Sequence, residues 1–290
     1  MLLIGDPVEH SLSPRIHNTA FATHEINAVY AASQVGANDL RAAVDGLRAL
    51  RVLGANVTIP HKEEIAPLLD TLTDRARAVG AVNTIVSTPS DTGALRLRGD
   101  NTDVAGFLAP IDKANGLDGT RMTILGAGGA ARAVAYGLGT TYAPDTLTVA
   151  ARRPEQAEAL LDALSSHLNT TTTTLQAMPL DEAHPAVSAS RLVVNATPVG
   201  MAPNTNATPW PDAACFTPDH LVYDLVYTPR RTRLLREAEA HGAATQGGLA
   251  MLIGQAAAAY KQWTGQSMPI AAVRDEVITN LESSSASSNH

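Results

Sequence analysis

A glycine-rich loop between an apolar segment and an alanine-rich segment constrains the fold of this chain more than any other feature of its sequence. The apolar segment RMTIL at 121–125 leads into a loop that fits GxGxx(G/A) and opens an alanine-rich stretch; its residues are Gly126, Ala127, Gly128, Gly129, Ala130 and Ala131. In a strand–loop–helix unit of this type the first glycine permits a tight turn, and the second lets the backbone approach a pyrophosphate. The positive end of the helix dipole also favours phosphate. The loop therefore predicts a dinucleotide-binding βαβ unit, which we assign to residues 122–153.

Two arginines indicate which dinucleotide the unit binds. Arg152 and Arg153 follow the next apolar segment, LTVAA at 147–151, where an NAD-binding unit places an acidic residue for the ribose 2′-hydroxyl. Guanidinium groups suit a 2′-phosphate because they combine charge with bidentate hydrogen bonds. Two adjacent arginines alone usually indicate an exposed loop, but their position after a strand favours a binding role. The pattern predicts NADP rather than NAD as the cofactor.

The spacing of apolar segments indicates two α/β series, and 290 residues are enough for two domains. The first series runs through LLIG, AVYAASQV and LGANVTIP, with helical patterns near 14–22 and 38–50. The second runs through RMTILG, LTVAAR, RLVVNATP and HLVYDLVY, with a helical pattern at 154–168. Another helical pattern near 102–116 connects the two. This alternation predicts an α/β fold with mainly parallel sheets.

The composition limits the kind of partner. A formal net charge of -7 and an aromatic content of 4% disfavour a nucleic-acid surface, which needs clustered cations and stacking platforms. No segment approaches the roughly 18 apolar residues of a membrane span, and the first residues lack the pattern of a secretion signal. Cys215 is the only cysteine, and the histidines and carboxylates show no recurring metal-ligand spacing. We therefore expect a cytoplasmic protein without a bound metal, whose partner is a small molecule.

Four polar clusters in the first series lie at the ends of predicted strands or in turns, where open α/β sheets bind ligands. They are His10–Pro14, Asn56–Lys62, Ala81–Thr84 and Gly99–Asp103. Each cluster alone has a structural explanation, because serine and proline start helices, asparagine forms turns, aspartate caps helices and lysine is usually exposed. Only their combination and order indicate a function.

In this order, and followed by GAGGAA, the clusters resemble the shikimate dehydrogenase family. The resemblance includes NATPVGM at 195–201, DLVYTPRRTRLL at 224–235 and QGGLAMLIGQAA at 246–257. It implies two domains: a substrate-binding domain of βαβ units with a mainly parallel sheet at 1–103, and a Rossmann NADP-binding domain at 104–237. C-terminal helices at 238–281 would return to the first domain. We expect the tail at 282–290 to be disordered.

The resemblance also implies residue roles. The residues that would bind the substrate carboxylate are Ser11 and Ser13, and Tyr227 would lie near it. Those that would bind its ring hydroxyls are Thr58, Asn83, Asp103 and Gln255. The catalytic pair would be Lys62 and Asp103. The cofactor would be held by Gly126, Ala127, Gly128, Gly129, Ala130, Arg152, Arg153, Thr197 and Gly248, the last of them beside the nicotinamide.

The implied reaction is the reversible NADPH-dependent reduction of 3-dehydroshikimate to shikimate by a monomer or homodimer. Hydride transfer to a ketone builds negative charge on oxygen, so a proton donor such as the Lys62 ammonium is needed. One departure from the family pattern is Ala151, where asparagine is common, so NADP preference depends on the two arginines that follow. The alternatives are an NAD-linked quinate/shikimate dehydrogenase and a non-catalytic metabolite sensor.

Overall fold

The computed structural model describes residues 1–90, 93–111 and 116–287, and the chain divides into two compact units. The first unit consists of Met1–Thr102 and of the chain from Gln255 onward. The second unit is Asp103–Gly254. The first unit is therefore built from two separate segments of the chain.

The elements alternate along the chain. The first unit contains the strands β1 (Leu2–Gly5), β2 (Ala31–Gln34), β3 (Gly54–Val57), β4 (Thr71–Leu72), β5 (Thr84–Pro89) and β6 (Leu95–Asp100), and the helices α1 (Ser13–Thr23), α2 (Leu40–Ala49) and α3 (Asp74–Val79). The helices that follow are α4 (Asp103–Leu108), α5 (Gly129–Thr141), α6 (Pro154–Ser165), α7 (His184–Ser188), α8 (Arg233–Ala240), α9 (Leu249–Thr264) and α10 (Ile270–Ser287). The strands of the second unit are β7 (Arg121–Leu125), β8 (Thr146–Ala151), β9 (Thr174–Pro179), β10 (Leu192–Asn195), β11 (Leu221–Asp224) and β12 (Ala244–Gly247).

The first sheet has the strand order β2-β1-β3-β5-β6-β4. Its pairs are parallel except at β5, which runs antiparallel to both of its neighbours, β3 and β6. The start of β5 therefore lies at the same edge as the ends of β1, β3 and β6. We call this edge the carboxyl edge; it is formed by the residues that follow β1, β3 and β6 and those that precede β5.

Helices cover the first sheet because their apolar residues recur at helical spacing. In α2 the buried residues are Leu40, Val44 and Leu47, which share one face. The last two helices also pack in this unit: α10 lies against α1, and the indole Nε1 of Trp263 on α9 donates to the Ile85 carbonyl at 2.9 Å. The C-terminal helices thus complete the core of the first unit.

The second sheet is entirely parallel, with the order β9-β8-β7-β10-β11-β12. Numbered along the unit, this is the Rossmann order 3-2-1-4-5-6, and the strand order reverses between β7 and β10. Central strand residues such as Ile124, Val149 and Val194 are fully buried, as expected for a parallel sheet with both faces covered. Ligands of such sheets bind at the point of reversal.

These sheets confirm the predicted fold class of two α/β units with mainly parallel strands, the second a Rossmann sheet. The predicted domain boundary at 238 is wrong, because the second unit continues to Gly254. The reason is β12, which pairs in parallel with β11 and brings α8 into the second unit. The residues of β12, ATQG, are small or polar and carry no strand signal in the sequence.

Two further predictions differ from the structure. The connecting helix predicted near 102–116 is the shorter α4, Asp103–Leu108, and residues 112–115 of that prediction lie outside the described residues. The tail predicted to be disordered from 282 continues α10 as far as Ser287, while 288–290 lie outside the described residues. Serine lowers helix stability only modestly relative to alanine, and neither glycine nor proline interrupts this stretch.

Candidate active site

The carboxyl edge of the first sheet gathers predicted substrate ligands that are far apart in sequence. Thr58 follows β3, and its amide donates to the Ile4 carbonyl of β1 at 2.8 Å. Asn83 precedes β5, and its carbonyl accepts the amide of Val57 on β3 at 2.9 Å. Because β5 is reversed, Asn83 lies at this edge although it begins a strand rather than ending one.

The predicted serine pair lies after β1, at the start of α1. The Ser11 hydroxyl oxygen accepts the backbone N–H of Ser13 at 3.2 Å, so it also supports the helix start. This contact uses an oxygen lone pair and leaves the hydroxyl proton of Ser11 able to be donated to another group. Ser11 is half-buried and Ser13 is buried. Ser11 can therefore support the start of α1 and still donate a hydrogen bond to a ligand.

The carboxamide of Asn83 is held by a buried network of threonines. Its Oδ1 accepts the backbone N–H of Thr102 at 2.7 Å, the Thr102 hydroxyl at 3.1 Å and the Thr84 hydroxyl at 3.0 Å. The Nδ2 of Asn56 donates to the Thr84 hydroxyl and to the Asn83 carbonyl, each at 3.0 Å. The polar clusters contain all of these residues, but their individual character does not reveal that they form one network.

The predicted catalytic pair is divided between the two units. Lys62 belongs to the first unit and is half-buried; its carbonyl accepts the amide of Val82 at 2.7 Å, which ties its backbone beside Asn83. Asp103 is buried and begins the second unit, directly after Thr102 in the chain. Gln255 is half-buried near the start of α9. The pairing of Lys62 with Asp103 stays a prediction.

Asp100 belongs to the same sequence cluster as Asp103, but its hydrogen bonds to other protein groups give it a structural role. Its carboxylate accepts hydrogen bonds from Thr73 at 2.7 Å, from Arg75 Nη2 at 2.7 Å and from Gln262 at 2.8 Å. Burial would raise the pKa of Asp100, but the hydrogen bonds from Arg75 and Thr73 outweigh burial and hold the pKa below its usual value. Asp100 therefore joins β6, α3 and α9 as an ionised anchor within the first unit.

The glycine loop of the second unit lies at the point where the strand order reverses. Gly126 follows β7 with a φ of +106°, and a Cβ there would lie 2.8 Å from Cγ2 of Thr197. Only glycine therefore fits this close approach between the residues after β7 and after β10. At Gly128 and Gly129 a Cβ would meet no atom within 4 Å, so open space faces the start of α5. The loop has room for a phosphate group at a helix N-terminus.

Arg152 and Arg153 follow β8, beside this loop in the sheet order, and both are exposed. A cavity of about 540 Å³ adjoins Arg152; its other lining residues are Leu180, Asp181, His184, Pro209, Trp210, Pro211 and Asp212. Both predicted 2′-phosphate ligands therefore lie at the end of the second Rossmann strand, and Arg152 borders a space of ligand size.

A buried carboxylate organises the loops after β10 and β11. Asp224 accepts hydrogen bonds from Asn195 Nδ2 at 2.8 Å, from the amide of Val226 at 3.0 Å and from the Thr232 hydroxyl at 2.6 Å. Burial raises the pKa of Asp224. The amide oxygen of Asn195 then accepts the hydroxyl of Thr197 at 2.7 Å. Thr197 is thus held beside the glycine loop by a network that the motif letters alone did not reveal.

The two remaining predicted residues of the second unit lie after β11 and β12. A Cβ at Gly248 would stand 2.1 Å from the Leu225 carbonyl oxygen, so glycine is required there by close backbone approach. Tyr227 is half-buried, and burial raises the pKa of its hydroxyl.

The parts of the chain that the structure describes, 1–90, 93–111 and 116–287, lack two other kinds of site. Within them, no group of three or more histidine, cysteine, aspartate or glutamate residues could hold a metal ion. Also within them, no helix is both long and apolar enough to cross a membrane.

Comparison with known proteins identifies the family. A model described as the shikimate dehydrogenase substrate binding domain matches residues 3–85, and one described as the shikimate 5'-dehydrogenase C-terminal domain matches residues 248–278. The shikimate dehydrogenase (NADP(+)) of Salinibacter ruber is 59% identical over 276 residues, which cover 94% of this chain and 94% of that protein. The chain belongs to the shikimate dehydrogenase family. The resemblance inferred from the motifs is confirmed.

The solved structures that are similar to this chain include enzymes named for different substrates. The shikimate 5-dehydrogenase of Thermus thermophilus, in complex with NADP(H) and shikimate, has a TM-score of 0.80 and 36% identity, covering 95% of this chain and 97% of that chain. The quinate dehydrogenase of Corynebacterium glutamicum, in complex with NAD, has a TM-score of 0.86 and 32% identity, covering 96% and 98%. Because both folds are similar to that of this chain over nearly its whole length, the fold alone does not determine the substrate.

Proposed function

We propose that this protein catalyses the reversible, NADPH-dependent reduction of 3-dehydroshikimate to shikimate. The observation that carries the proposal is the pair Arg152 and Arg153, exposed at the end of β8 beside a glycine loop with open space before α5. A Rossmann unit that prefers NAD places an acid at this point, and a 2′-phosphate needs cations instead. Relatives of this family named as NADP(+) enzymes support the choice of cofactor.

The substrate groups are assigned to residues of the carboxyl edge and of the later helices. Ser11 and Ser13 donate to the substrate carboxylate, with Tyr227 near it. The ring hydroxyls are bound by Thr58, Asn83, Asp103 and Gln255. Hydroxyl and amide donors suit this polyhydroxy acid, because a site built to pair its hydroxyls discriminates against analogues that lack them.

Lys62 is the proton donor of the proposed reaction. When bound, NADPH supplies the hydride, and the substrate oxygen gains negative charge that a nearby ammonium stabilises and then protonates. Asp103 is the second member of the proposed catalytic pair. In the reverse reaction the same lysine takes the proton from the substrate hydroxyl.

The cofactor is held by residues of the second unit. Backbone groups at the start of α5 face the pyrophosphate, and the loop residues are Gly126, Ala127, Gly128, Gly129 and Ala130. Arg152 and Arg153 bind the 2′-phosphate, Thr197 is a further cofactor ligand, and Gly248 lies beside the nicotinamide. The enzyme acts in the cytoplasm as a monomer or homodimer.

The similarity to a quinate dehydrogenase with NAD makes the second candidate an NAD-linked quinate/shikimate dehydrogenase. Steady-state oxidation of shikimate and of quinate, each with NADP+ and with NAD+, separates the candidates. We expect shikimate with NADP+ to give the highest kcat/KM, with a preference over NAD+ of about ten- to a hundredfold from a charged phosphate contact. Faster quinate oxidation with NAD+ would establish the second candidate. Binding of shikimate without turnover in any of the four assays would indicate a sensor.

A further inference from the structure

The orientation of the Asn83 carboxamide is determined by a neighbouring backbone group that can only donate a hydrogen bond. The backbone N–H of Thr102 can only donate, and it lies 2.7 Å from the atom assigned as Asn83 Oδ1. Rotating the carboxamide by half a turn would bring an NH2 group against this N–H, and that hydrogen bond would be lost. The oxygen end of Asn83 therefore faces Thr102, and Nδ2 faces the opposite way.

Two hydroxyls reinforce this orientation inside the protein. Thr84 and Thr102 are both fully buried, and their hydroxyls lie 3.0 Å and 3.1 Å from Asn83 Oδ1. The amide of Asn56 donates to the Thr84 hydroxyl at 3.0 Å, so the Thr84 proton is directed elsewhere, toward Asn83 or Thr102. Asn56 itself is fixed because its Oδ1 accepts the Tyr30 hydroxyl at 2.8 Å. The oxygen of Asn83 is saturated by protein donors.

We propose that Thr84 and Thr102 are positioning residues for substrate recognition, which fix Asn83 as a hydrogen-bond donor toward the substrate. The proposal rests on the proposed function, since it assumes that Asn83 contacts a substrate oxygen. Nδ2 carries only donors, so the substrate oxygen that it meets must accept a hydrogen bond. Thr84 acts through Asn83 and does not itself touch the substrate.

The first test compares kinetics of Thr84→Val and Thr84→Ser with the wild-type protein. Valine keeps the shape of threonine and removes the hydroxyl, so Asn83 loses one of its restraints. We expect Thr84→Val to raise the KM for shikimate about tenfold while the KM for NADP+ stays within about twofold. Thr84→Ser restores the hydroxyl and should restore the KM. An unchanged KM in a folded Thr84→Val protein would overturn the proposal.

Thr123→Val is the matched control. Thr123 is a fully buried threonine of the second sheet whose hydroxyl lies 2.8 Å from that of Ser190, and the proposal gives it no part in binding. We expect loss of the Thr123 hydroxyl to lower the Tm of the protein without changing its KM for shikimate. A rise in KM equal to that of Thr84→Val would show that any buried threonine has this effect, and the positioning role would be rejected.

Asn83→Asp decides the question if Thr84→Val does not fold. Aspartate has nearly the same shape and replaces the Nδ2 donor by an acceptor, so we expect the KM for shikimate to rise by about a hundredfold or more. An active wild-type enzyme whose Asn83→Asp variant keeps its KM would overturn this inference alone. A wild-type protein that does not oxidise shikimate would overturn the proposed function and this inference together.

Discussion

At the scale of single residues, backbone ties and not only side chains determine which polar groups meet. The carbonyl of Lys62 accepts from Val82, and the neighbouring Asn83 is tied to Val57 and Thr102. A lysine in isolation is most often a solvated charge, so its residue type alone is weak evidence. Its place beside Asn83 is what makes it a credible proton donor.

Replacing Lys62 tests this role. We expect Lys62→Ala to lower kcat by about 10² to 10⁴ fold, the range for loss of a general acid, with little change in NADPH affinity. The measurement is steady-state kinetics together with NADPH titration by fluorescence. Lys261→Ala, at an exposed position of α9, controls for loss of a lysine and should keep full activity. Equal turnover of Lys62→Ala and wild type would reject the catalytic assignment.

The arginine pair is tested by the difference between two cofactors. We expect Arg152→Ala with Arg153→Ala to weaken NADPH binding by about 1.5 to 3 kcal/mol per lost charged hydrogen bond and to leave NADH binding nearly unchanged. Isothermal titration of both cofactors provides the comparison. Arg41→Ala, on the exposed side of α2, is a control that should alter neither affinity. Parallel losses for NADPH and NADH would mean that the arginines do not bind the 2′-phosphate.

Residue types and their order predict which side chains form the candidate site, but they contain no information on how those side chains are oriented. The orientation of the Asn83 carboxamide depends on the Thr102 N–H, which comes from the end of a different strand. The distinction between Asp100 and Asp103 depends on Arg75, which comes from α3. These hydrogen-bond partners are brought together by the tertiary fold. The sequence around each residue contains no local signal that identifies them.

At the scale of elements, replacing glycine by alanine is expected to change the stability of the protein in opposite directions at two positions. Gly46 lies inside α2, where a Cβ would meet no atom within 4 Å, whereas a Cβ at Gly248 would overlap the Leu225 carbonyl. We expect Gly46→Ala to stabilise the protein by about 0.5 to 1 kcal/mol through helix propensity. Gly248→Ala should destabilise it by about 1 to 3 kcal/mol or more because backbone must move.

Urea unfolding of both variants measures the two effects. The pair serves as its own control, since the substitution is the same and only the surroundings differ. A Gly248→Ala protein as stable as the wild type would show that the loop after β12 can shift at no cost.

The elements missing from the sequence analysis differ in how much signal the sequence contains for them. The segment LRLRGD of β6 does alternate apolar and charged residues, so its strand could have been recognised. The antiparallel direction of β5 could not, because periodicity contains no information on strand polarity. The small residues of β12 gave no strand signal, and this led to the wrong boundary at 238.

At the scale of the whole molecule, a buried histidine couples stability to pH. His17 is fully buried, and within the described residues neither ring nitrogen makes a hydrogen bond of normal geometry; the Asn56 side chain opposes the lowering of its pKa but does not outweigh burial. Its ring stacks on Tyr30 with centroids 4.5 Å apart. Burial, together with the charge of the N-terminal ammonium, lowers the pKa of His17 to about 3. The folded protein therefore holds this ring neutral at a pH where the unfolded chain protonates it.

The sign of the effect follows from this difference in pKa. The contribution of His17 is fully present above the unfolded pKa of about 6.5 and falls as the pH decreases toward 3. Between pH 7 and pH 5 the wild type should lose about 2 kcal/mol more than His17→Phe, which does not titrate. Urea unfolding at both pH values measures it, and His241→Phe, at an exposed position, should behave as the wild type. Identical pH dependence of His17→Phe and wild type would contradict the prediction.

The reversed strand β5 also has a practical consequence for labelling the protein. Its ladder with β6 runs from the pair Thr84↔Asp100 at the carboxyl edge to the pair Pro89↔Leu95, roughly 17 Å away at the rise of an extended strand. Residues inserted between Pro89 and Leu95 enter the chain at the end of the ladder away from the proposed substrate ligands of the carboxyl edge. We therefore expect a peptide tag or a fluorophore attached there to report on the first unit and to leave its proposed substrate ligands unobstructed.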